Sequence, residues 1–307
     1  MQEPIEIRGL VAAVHTPFGL DRELRLEVVE RQAERLLREG VSGVFVAGTT
    51  GECHSLRFEE RRRLAERWIE VARGTSLRVI VHVGSNCLRD AAELARLAAN
   101  AGAAAVAAMP PSYFKPETVD ALIECSAEVA RAAPETPFYF YEIPSYTGVR
   151  LPAHELLSEA GDRIPTLRGA KFTNLDLVAY QLCLRALGGR FDMPWGLDEC
   201  LLGALAVGAR GTVGGTYNFT APIFQRLLDA FAKGDGNAAA EEQFRSVRLQ
   251  RALETFGFLG AAKAVMGFLG VEVGPPRLPL RELSEREKAE LRRALEKLGY
   301  FDWIRAR

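Results

Sequence analysis

Short apolar runs alternate with longer amphipathic stretches along most of this chain, and this alternation constrains its fold more than any other feature. The runs with strand character are 10–15, 43–47, 78–83, 103–109, 138–141, 167–172, 192–196 and 211–214. Helical patterns follow them at 24–38, 58–72, 88–101, 119–132, 152–159, 175–187, 198–207 and 221–231. Strands that alternate with helices indicate a parallel sheet, and eight such units within about 230 residues predict a (β/α)8 TIM barrel.

The alternation stops near residue 235, where only helical patterns continue, at 238–255, 258–268 and 284–297. We therefore predict a barrel that carries the active site over 1–235 and a C-terminal helical extension over 236–307, packed on the barrel. An open doubly wound sheet is the rival fold, and it would need a glycine-rich nucleotide turn after an early strand. Neither Gly48–Gly51 nor Gly208–Gly215 has the G-x-G-x-x-G or P-loop spacing.

Composition gives no sign of a nucleic-acid or membrane partner, because 39 basic residues balance 40 acidic ones. The first six residues do not form a signal peptide, and no apolar run is long enough to span a membrane. Five cysteines without a C-x-x-C pair favour a reduced protein, and we expect a cytoplasmic location. The four histidines lack zinc-site spacing, so no metal is predicted.

Lys171 stands at the end of an apolar run, 166–173, that is typical of a buried strand. Burial disfavours the ammonium form and lowers the pKa of a lysine. A neutral amine is the form that attacks a ketone to give a Schiff base. The ordinary alternative is a lysine whose amine reaches water at the strand end.

Other polar groups also follow predicted strands, at the ends where an α/β barrel carries its working groups. These are Gly48–Glu52, Tyr141–Pro144, Lys171 with Thr173, Gly196–Glu199 and Gly214–Asn218. The glycine-flanked turn at Thr49 and Thr50 can hold a carboxylate on its N–H groups. Tyr141 suits general acid/base work, or else is a core aromatic. Asp198 and Glu199 suit sugar hydroxyls, or else cap the helix that follows.

Three motifs, G-T-T-G-E, Y-x-I-P-x-x-T-G and G-x-K-x-[ST], occur in the order found in one superfamily, with Tyr141 and Lys171 separated by 30 residues. The chain resembles the class I aldolases of the N-acetylneuraminate lyase and dihydrodipicolinate synthase superfamily. The resemblance implies that Lys171 forms a Schiff base, that Tyr141 shuttles a proton and that Thr49 contacts Tyr141. It implies a substrate-binding set made of Thr49, Thr50, Thr173, Gly196, Asp198, Glu199 and Gly215. It also implies that no cofactor is needed beyond the covalent lysine adduct, and that the protein is a homotetramer in which Tyr113 reaches the neighbouring subunit's site.

Within the superfamily, the chain is most similar to the animal-type N-acetylneuraminate lyase branch. That resemblance implies reversible cleavage of N-acetylneuraminate to pyruvate and N-acetylmannosamine. Tyr146 stands where the synthases carry a substrate-binding arginine, which weighs against that branch. Gly215 replaces a usual serine and Glu142 a usual asparagine or histidine.

These departures keep two alternatives open. One is another pyruvate-dependent aldolase or dehydratase, acting on a 2-keto-3-deoxy sugar acid or acting as a 4-hydroxy-tetrahydrodipicolinate synthase on aspartate semialdehyde. The other is a barrel that binds a keto acid without turnover.

Overall fold

A computed structural model describes residues 6–305, and its centre is one curled sheet of seven parallel strands. The strands are β1 (Gly9–Ala13), β2 (Gly43–Val46), β3 (Arg78–His82), β4 (Ala105–Ala108), β5 (Phe138–Glu142), β6 (Leu167–Phe172) and β7 (Gly211–Gly214). Their order in the sheet is β6-β5-β4-β3-β2-β1-β7. All carboxyl ends therefore lie at one edge of the sheet.

The predicted strand at 192–196 is not a regular strand, although it joins the two edges of the sheet. Isolated bridges link Trp195 to Phe172 of β6 and to Thr212 of β7. Phe172 N–H donates to the Pro194 carbonyl at 3.0 Å. Because Pro194 has no N–H to donate in return, the ladder is interrupted there. The sheet is thus curled and bridged, and an eighth regular strand is not confirmed.

Helices cover the outside of the sheet, and several begin and end where the sequence predicts. They are α1 (Val29–Arg38), α2 (Phe58–Ala72), α3 (Leu88–Ala101), α4 (Val119–Arg131), α5 (Pro144–Thr147), α6 (Ala153–Glu159), α7 (Leu177–Arg185), α8 (Leu201–Ala206), α9 (Tyr217–Ala232), α10 (Gly236–Glu254), α11 (Phe258–Phe268), α12 (Glu285–Leu298) and α13 (Tyr300–Trp303). Short 3-10 turns occupy Leu26–Val28, Cys53–Ser55, Gly161–Arg163, Ala186–Gly189 and Asp198–Cys200. The predicted helices 24–38 and 198–207 therefore each begin as a 3-10 turn, and α5 and α13 were not predicted.

Strand residues alternate between two apolar clusters, as the two-residue period of a strand requires. Ala170 and Phe172 of β6 face the helices, in the larger cluster. Phe45 and Tyr141 face the opposite side, inside the curled sheet. Lys171 lies between Ala170 and Phe172, so its side chain points to the inner face.

The C-terminal helices pack against the outer layer through a third apolar cluster, which includes Phe219 of α9 and Leu291 of α12. Tyr300 Oη donates to the Phe219 carbonyl at 2.8 Å. The division of the chain near residue 235 stays a prediction, and residues 1–5 and 306–307 lie outside the described range. Among residues 6–305, no helix is long and apolar enough to cross a membrane.

Candidate active site

Lys171 is a buried lysine whose amine lies over two aromatic rings. Its relative exposure is 4%. Its Nζ lies 4.0 Å from the Tyr141 ring centroid and 4.4 Å from that of Phe45. No ion pair forms at this amine within residues 6–305. Burial lowers the pKa of Lys171 to about 7, although attraction from Asp198 and Cys53 partly opposes that effect. A large share of this amine is therefore neutral near pH 7.

Tyr141 lies beside Lys171, because β5 and β6 pair in parallel with these two residues in register. Its phenol is hydrogen-bonded to Thr49 Oγ1 at 3.1 Å. Burial raises the pKa of Tyr141 far above its usual value, while the hydroxyls of Thr49 and Thr173 act in the lowering direction. The structure thus brings Lys171, Tyr141 and Thr49 together, with a protonated phenol between a neutral amine and a hydroxyl.

The residues Gly48–Gly51, which we term the GTTG turn, follow β2 in an unusual backbone path. Ala47 and Glu52 on either side both have positive φ, 54° and 57°. A left-handed conformation is costly for residues with a Cβ, so the surroundings must hold it in place. Thr16 Oγ1 donates to the Gly51 carbonyl at 2.6 Å. His82 Nδ1 lies 2.8 Å from the Ala47 carbonyl oxygen.

Glu52 holds the end of the GTTG turn through contacts with the C-terminal extension. Its carboxylate lies 2.6 Å from Lys263 Nζ, and both side chains are at most 2% exposed. The backbone N–H of Arg277 donates to the same carboxylate at 2.8 Å. The helical extension therefore reaches the loop that carries Thr49 and Thr50. The sequence analysis assigned no role to Glu52, Lys263 or Arg277.

Thr173 and Gly196 lie next to each other at the ends of two adjacent segments. Gly196 N–H donates to the Phe172 carbonyl at 2.7 Å. A Cβ on Gly196 would overlap the Thr173 hydroxyl, so only glycine fits against it. Thr173 Oγ1 is buried and makes no hydrogen bond within 3.5 Å among the described residues, although it lies near enough to the Tyr141 hydroxyl to lower that phenol's pKa. A ligand oxygen at this point would give the hydroxyl a close partner.

Asp198 is buried near the same edge, and its carboxylate organises the loop after β7. Its Oδ2 accepts a hydrogen bond from Thr216 N–H at 2.7 Å and another from Thr216 Oγ1 at 2.5 Å. Burial raises the pKa of Asp198 to about 6, partly offset by the Thr216 hydrogen bonds. Glu199 follows it in the same 3-10 turn and is less buried. The two sequence-based alternatives for Asp198, sugar binding and helix capping, both stay open. Asp198 supports a loop, and its charge also acts on the amine of Lys171.

Gly215 lies beside the GTTG turn, where a larger residue would change the site. A Cβ at this position would lie 2.8 Å from Thr50 Oγ1. A serine at 215 would therefore displace the Thr50 hydroxyl unless the loop moved. The Thr50 hydroxyl therefore fits in its observed position because residue 215 has no side chain.

Glu142 is the third buried carboxyl group of this region, after Glu52 and Asp198. It follows Tyr141 on β5, so its side chain points to the helix-facing side of the sheet, near Cys183 of α7. Its Oε1 accepts from Asn174 Nδ2 at 3.0 Å, while Oε2 is buried without a partner in the described range. Burial raises the pKa of Glu142 to about 7, and the Asn174 hydrogen bond opposes the shift. No cluster of three or more metal-ligating side chains is found among residues 6–305. The arrangement as a whole suits covalent chemistry on a carbonyl carbon.

Comparison with known proteins agrees with the motifs and places them in one family. The family model described as the dihydrodipicolinate synthetase family matches residues 6–298. The chain belongs to the dihydrodipicolinate synthetase family.

Its similar relatives share both sequence and structure over nearly their whole length. The N-acetylneuraminate lyase of Mus musculus is 40% identical over 299 residues, which is 96% of this chain and 93% of that protein. The solved N-acetylneuraminate lyase (sialic acid aldolase) of Aliivibrio salmonicida is 41% identical with a TM-score of 0.93, over 96% and 97% of the two chains. That of Proteus mirabilis is 37% identical, also with a TM-score of 0.93, over 96% and 99%.

Two further residues singled out by the family resemblance lie on the surface. Tyr113 is 77% exposed and packs edge-on against Phe114, with ring centroids 5.0 Å apart. Tyr146, in the position of the synthase arginine, is 70% exposed.

Proposed function

We propose that this protein is a Schiff-base aldolase that reversibly cleaves N-acetylneuraminate to pyruvate and N-acetylmannosamine. The similar proteins above carry the name N-acetylneuraminate lyase, at about 40% identity over nearly their full length. The observation that carries the proposal is the unpaired, buried amine of Lys171 against the Tyr141 ring. A lyase of this kind needs such an amine.

The first stage is imine formation at Lys171. The neutral amine adds to the ketone carbon of the open-chain substrate, and the resulting carbinolamine loses water. The product is an imine that is protonated at nitrogen, which makes it an iminium ion. The pKa of Lys171, near 7, leaves enough neutral amine for this attack at ordinary pH.

The second stage is cleavage of the C3–C4 bond. The Tyr141 oxygen, together with the substrate carboxylate, relays the proton from the C4 hydroxyl, and Thr49 holds the phenol in position. The electron pair of the broken bond moves into the iminium and gives an enamine. Protonation of the enamine and hydrolysis then release pyruvate and the free lysine. Because the iminium acts as the electron sink, the proposed reaction requires no metal and no separate cofactor.

The remaining site residues are assigned to substrate binding. The GTTG turn, with Thr49 and Thr50, receives the carboxylate of the keto acid on its hydroxyl and N–H groups. The sugar chain would lie along Thr173, Gly196, Asp198, Glu199 and Gly215. The Thr173 hydroxyl and the steric match at Gly196 support this path.

The finer features of the fold and assembly belong to the same proposal. We take the curled sheet and segment 192–196 together as an eight-stranded (β/α)8 barrel, with the helices after residue 235 as its extension. We also infer a cytoplasmic homotetramer in which Tyr113 contributes to a neighbouring site. The exposed pair Tyr113 and Phe114 supports such a contact.

Reductive trapping tests the proposal directly. Incubation with pyruvate and sodium cyanoborohydride should attach a reduced adduct to Lys171, found by mass spectrometry of the peptide. The Lys171→Ala variant should take up no label, whereas Lys263→Arg keeps the other buried lysine position charged and should be labelled normally. Labelling that persists in Lys171→Ala would falsify the assignment of the nucleophile.

A second candidate is an aldolase for a different keto-deoxy sugar acid, and the glycine at position 215 favours it. A Cβ there would lie 2.8 Å from Thr50 Oγ1, so this chain has no side chain where a serine hydroxyl would contact a substrate. Pyruvate release should be measured across a panel of sugar acids with the wild type and Gly215→Ser. A kcat/KM for N-acetylneuraminate far below that of another panel member would replace the first candidate by this one.

A further inference from the structure

A second cleft lies at the end of the sheet opposite Lys171. Arg8 precedes β1, Arg210 precedes β7, and Arg168 is the second residue of β6. Arg168 and Lys171 are three residues apart on one strand, which separates them by about 10 Å along the strand. The cleft therefore opens at the amino ends of the strands and does not share the lysine site.

Five arginines line this cleft: Arg8, Arg168, Arg185, Arg190 and Arg210. Arg8 is paired with Glu6. The other four form no ion pair with any residue of the range 6–305. Arg185 reaches only the carbonyl of Gln181, at 3.4 Å, and Arg190 lies over the Phe191 ring at 5.0 Å. Four guanidinium groups thus lack a carboxylate partner in the described part of the chain.

The two acidic residues of the cleft already have partners. Glu6 forms an ion pair with Arg8. Asp192 is fixed from within, because its Oδ2 accepts from the backbone N–H of Ile7 at 2.7 Å and from Tyr139 Oη at 2.8 Å. No other carboxylate from residues 6–305 lines the cleft. The local charge is therefore strongly positive, although the whole chain has a net charge of only −1.

This arrangement differs from the helical surfaces of the same protein. On α2, Arg62 lies between Glu59 and Glu66, and Arg67 pairs with Glu70. The cleft arginines are exposed to solvent, so water screens part of their mutual repulsion, and an anion that bound them would remove the rest. The concentration of unpaired arginines in one concavity thus favours a bound anion.

The size of the cleft limits the anion. Its volume is about 310 Å³, at the small end of the range for ligand pockets. Apolar side chains, including Leu184 and Val207, form part of the wall. Five arginines against Glu6 and Asp192 leave the cleft a net charge of +3. A phosphate group carries nearly two negative charges, so two such groups offset that charge within a small volume. Carboxylates would need three groups for the same charge.

We propose that this arginine cleft binds a small molecule carrying two or more phosphate groups. The planar guanidinium forks match phosphate oxygens with paired hydrogen bonds. The site is independent of the proposed aldolase function, because it lies at the other end of the sheet. Replacing Lys171 should leave it unchanged.

Titration calorimetry with pyrophosphate as the probe tests the proposal on the full-length protein. We expect saturable binding with one site per chain. The triple variant Arg168→Gln, Arg190→Gln, Arg210→Gln should weaken it at least tenfold, by loss of charged hydrogen bonds. Lys171→Ala should bind like the wild type. Inorganic phosphate should bind more weakly, and citrate weaker than pyrophosphate.

A matched control removes the same total charge from exposed arginines elsewhere that also lack ion pairs. This variant is Arg73→Gln, Arg89→Gln, Arg293→Gln, and it should bind pyrophosphate normally. Equal weakening in both triple variants, or an absence of saturable binding in the wild type, would overturn the proposal. Citrate binding as tight as pyrophosphate binding would overturn the assignment to phosphate. Thermal melts of both triple variants confirm that each is folded at the titration temperature.

Discussion

The protein has two buried lysines near the same loop, and only one of them has a carboxylate partner among the described residues. Lys263 lies under the GTTG turn, 2.6 Å from the Glu52 carboxylate, with the Pro275 carbonyl as a further acceptor at 3.2 Å. Lys171 lies against aromatic rings and has no carboxylate partner in the described range. Burial lowers the pKa of both, but at Lys263 the pairing with Glu52 opposes the shift.

The difference separates a structural amine from a reactive one. An amine held in a close ion pair stays protonated and cannot attack a carbonyl carbon. A buried ammonium group without a partner has an unfavourable desolvation energy, and loss of its proton removes that energy. The pairing, rather than the burial, therefore decides which lysine can carry out covalent chemistry.

The largest effect should follow removal of the reactive amine. We expect Lys171→Ala to lower kcat for N-acetylneuraminate cleavage by more than about 10⁴-fold, as loss of a covalent nucleophile does elsewhere. Steady-state assays of pyruvate release measure this. If Lys263→Arg lost activity to the same extent, the contrast between the two lysines would be wrong.

Removing the phenol should affect the bond-breaking step and leave imine formation intact. We expect Tyr141→Phe to lower kcat by about 10²–10⁴-fold, because general acid/base help is lost. Trapping with pyruvate should still label Lys171 in this variant. Thr49→Val, which removes the hydroxyl bonded to Tyr141, should lower kcat less than Tyr141→Phe does. Thr49→Ser keeps that hydroxyl and should have a kcat close to that of the wild type. If Tyr141→Phe abolished labelling, the phenol would act at imine formation instead.

Breaking the structural ion pair should lower stability. Lys263→Met leaves the Glu52 carboxylate buried without its counter-charge, which costs about 3–5 kcal/mol in the free energy of unfolding. The double variant Glu52→Gln, Lys263→Met should recover most of that loss in urea denaturation. An exposed pair serves as control, since Arg62→Gln is expected to cost at most about 1 kcal/mol. Equal losses in Lys263→Met and Arg62→Gln would contradict the role given to this pair.

The pH dependence of trapping should report the pKa of Lys171. Below a pKa of about 7 the neutral fraction falls about tenfold for each pH unit, and above it the fraction levels off. The initial rate of reductive labelling by pyruvate should follow this course, with a limb below pH 7 and a plateau above pH 8. A rate that continued to rise to pH 10 would mean that burial does not shift this amine.

The smallest effect should be a gain in stability. Below about pH 7 the folded and unfolded chains both carry a protonated Lys171, so the full cost of burying the charge is present. Between pH 7 and 10.5 the unfolded chain holds a proton that the folded chain has lost, so wild-type stability rises with pH. Lys171→Met should therefore raise Tm by several degrees at pH 6, and the gain should shrink towards pH 10. A constant gain across this range would contradict the assignment.

The residues that sequence reasoning found share one property, which is a position at the carboxyl end of a strand. The rule for α/β barrels requires only that the strands be recognised, so Lys171, Tyr141 and Thr49 could be placed at one edge without knowledge of the packing. Their register across β5 and β6 agrees with that placement. The roles assigned to them remain predictions.

The residues that sequence reasoning missed depend on contacts between distant parts of the chain. Glu52 meets Lys263 across 211 positions, and neither residue has a local pattern that predicts the other. The arginines of the second cleft come from the residues before β1 and β7, from β6, from the end of α7 and from the turn after it, so no cluster is visible in the sequence. Segment 192–196 has apolar strand character, but Pro194 removes the N–H that a regular ladder needs. The short helix α5 had a usable signal in Pro144 at its start and Gly148 at its end.

The ion pair between Glu52 and Lys263 also has a consequence for biosynthesis. A ribosome releases the chain from its amino end, so β2 and the GTTG turn emerge long before α11 supplies Lys263. Until then the Glu52 carboxylate has no cation to meet it, and the loop that precedes it lacks its anchor. A nascent chain therefore acquires a finished GTTG turn only after α11 has left the ribosome, which postpones activity until that helix has docked.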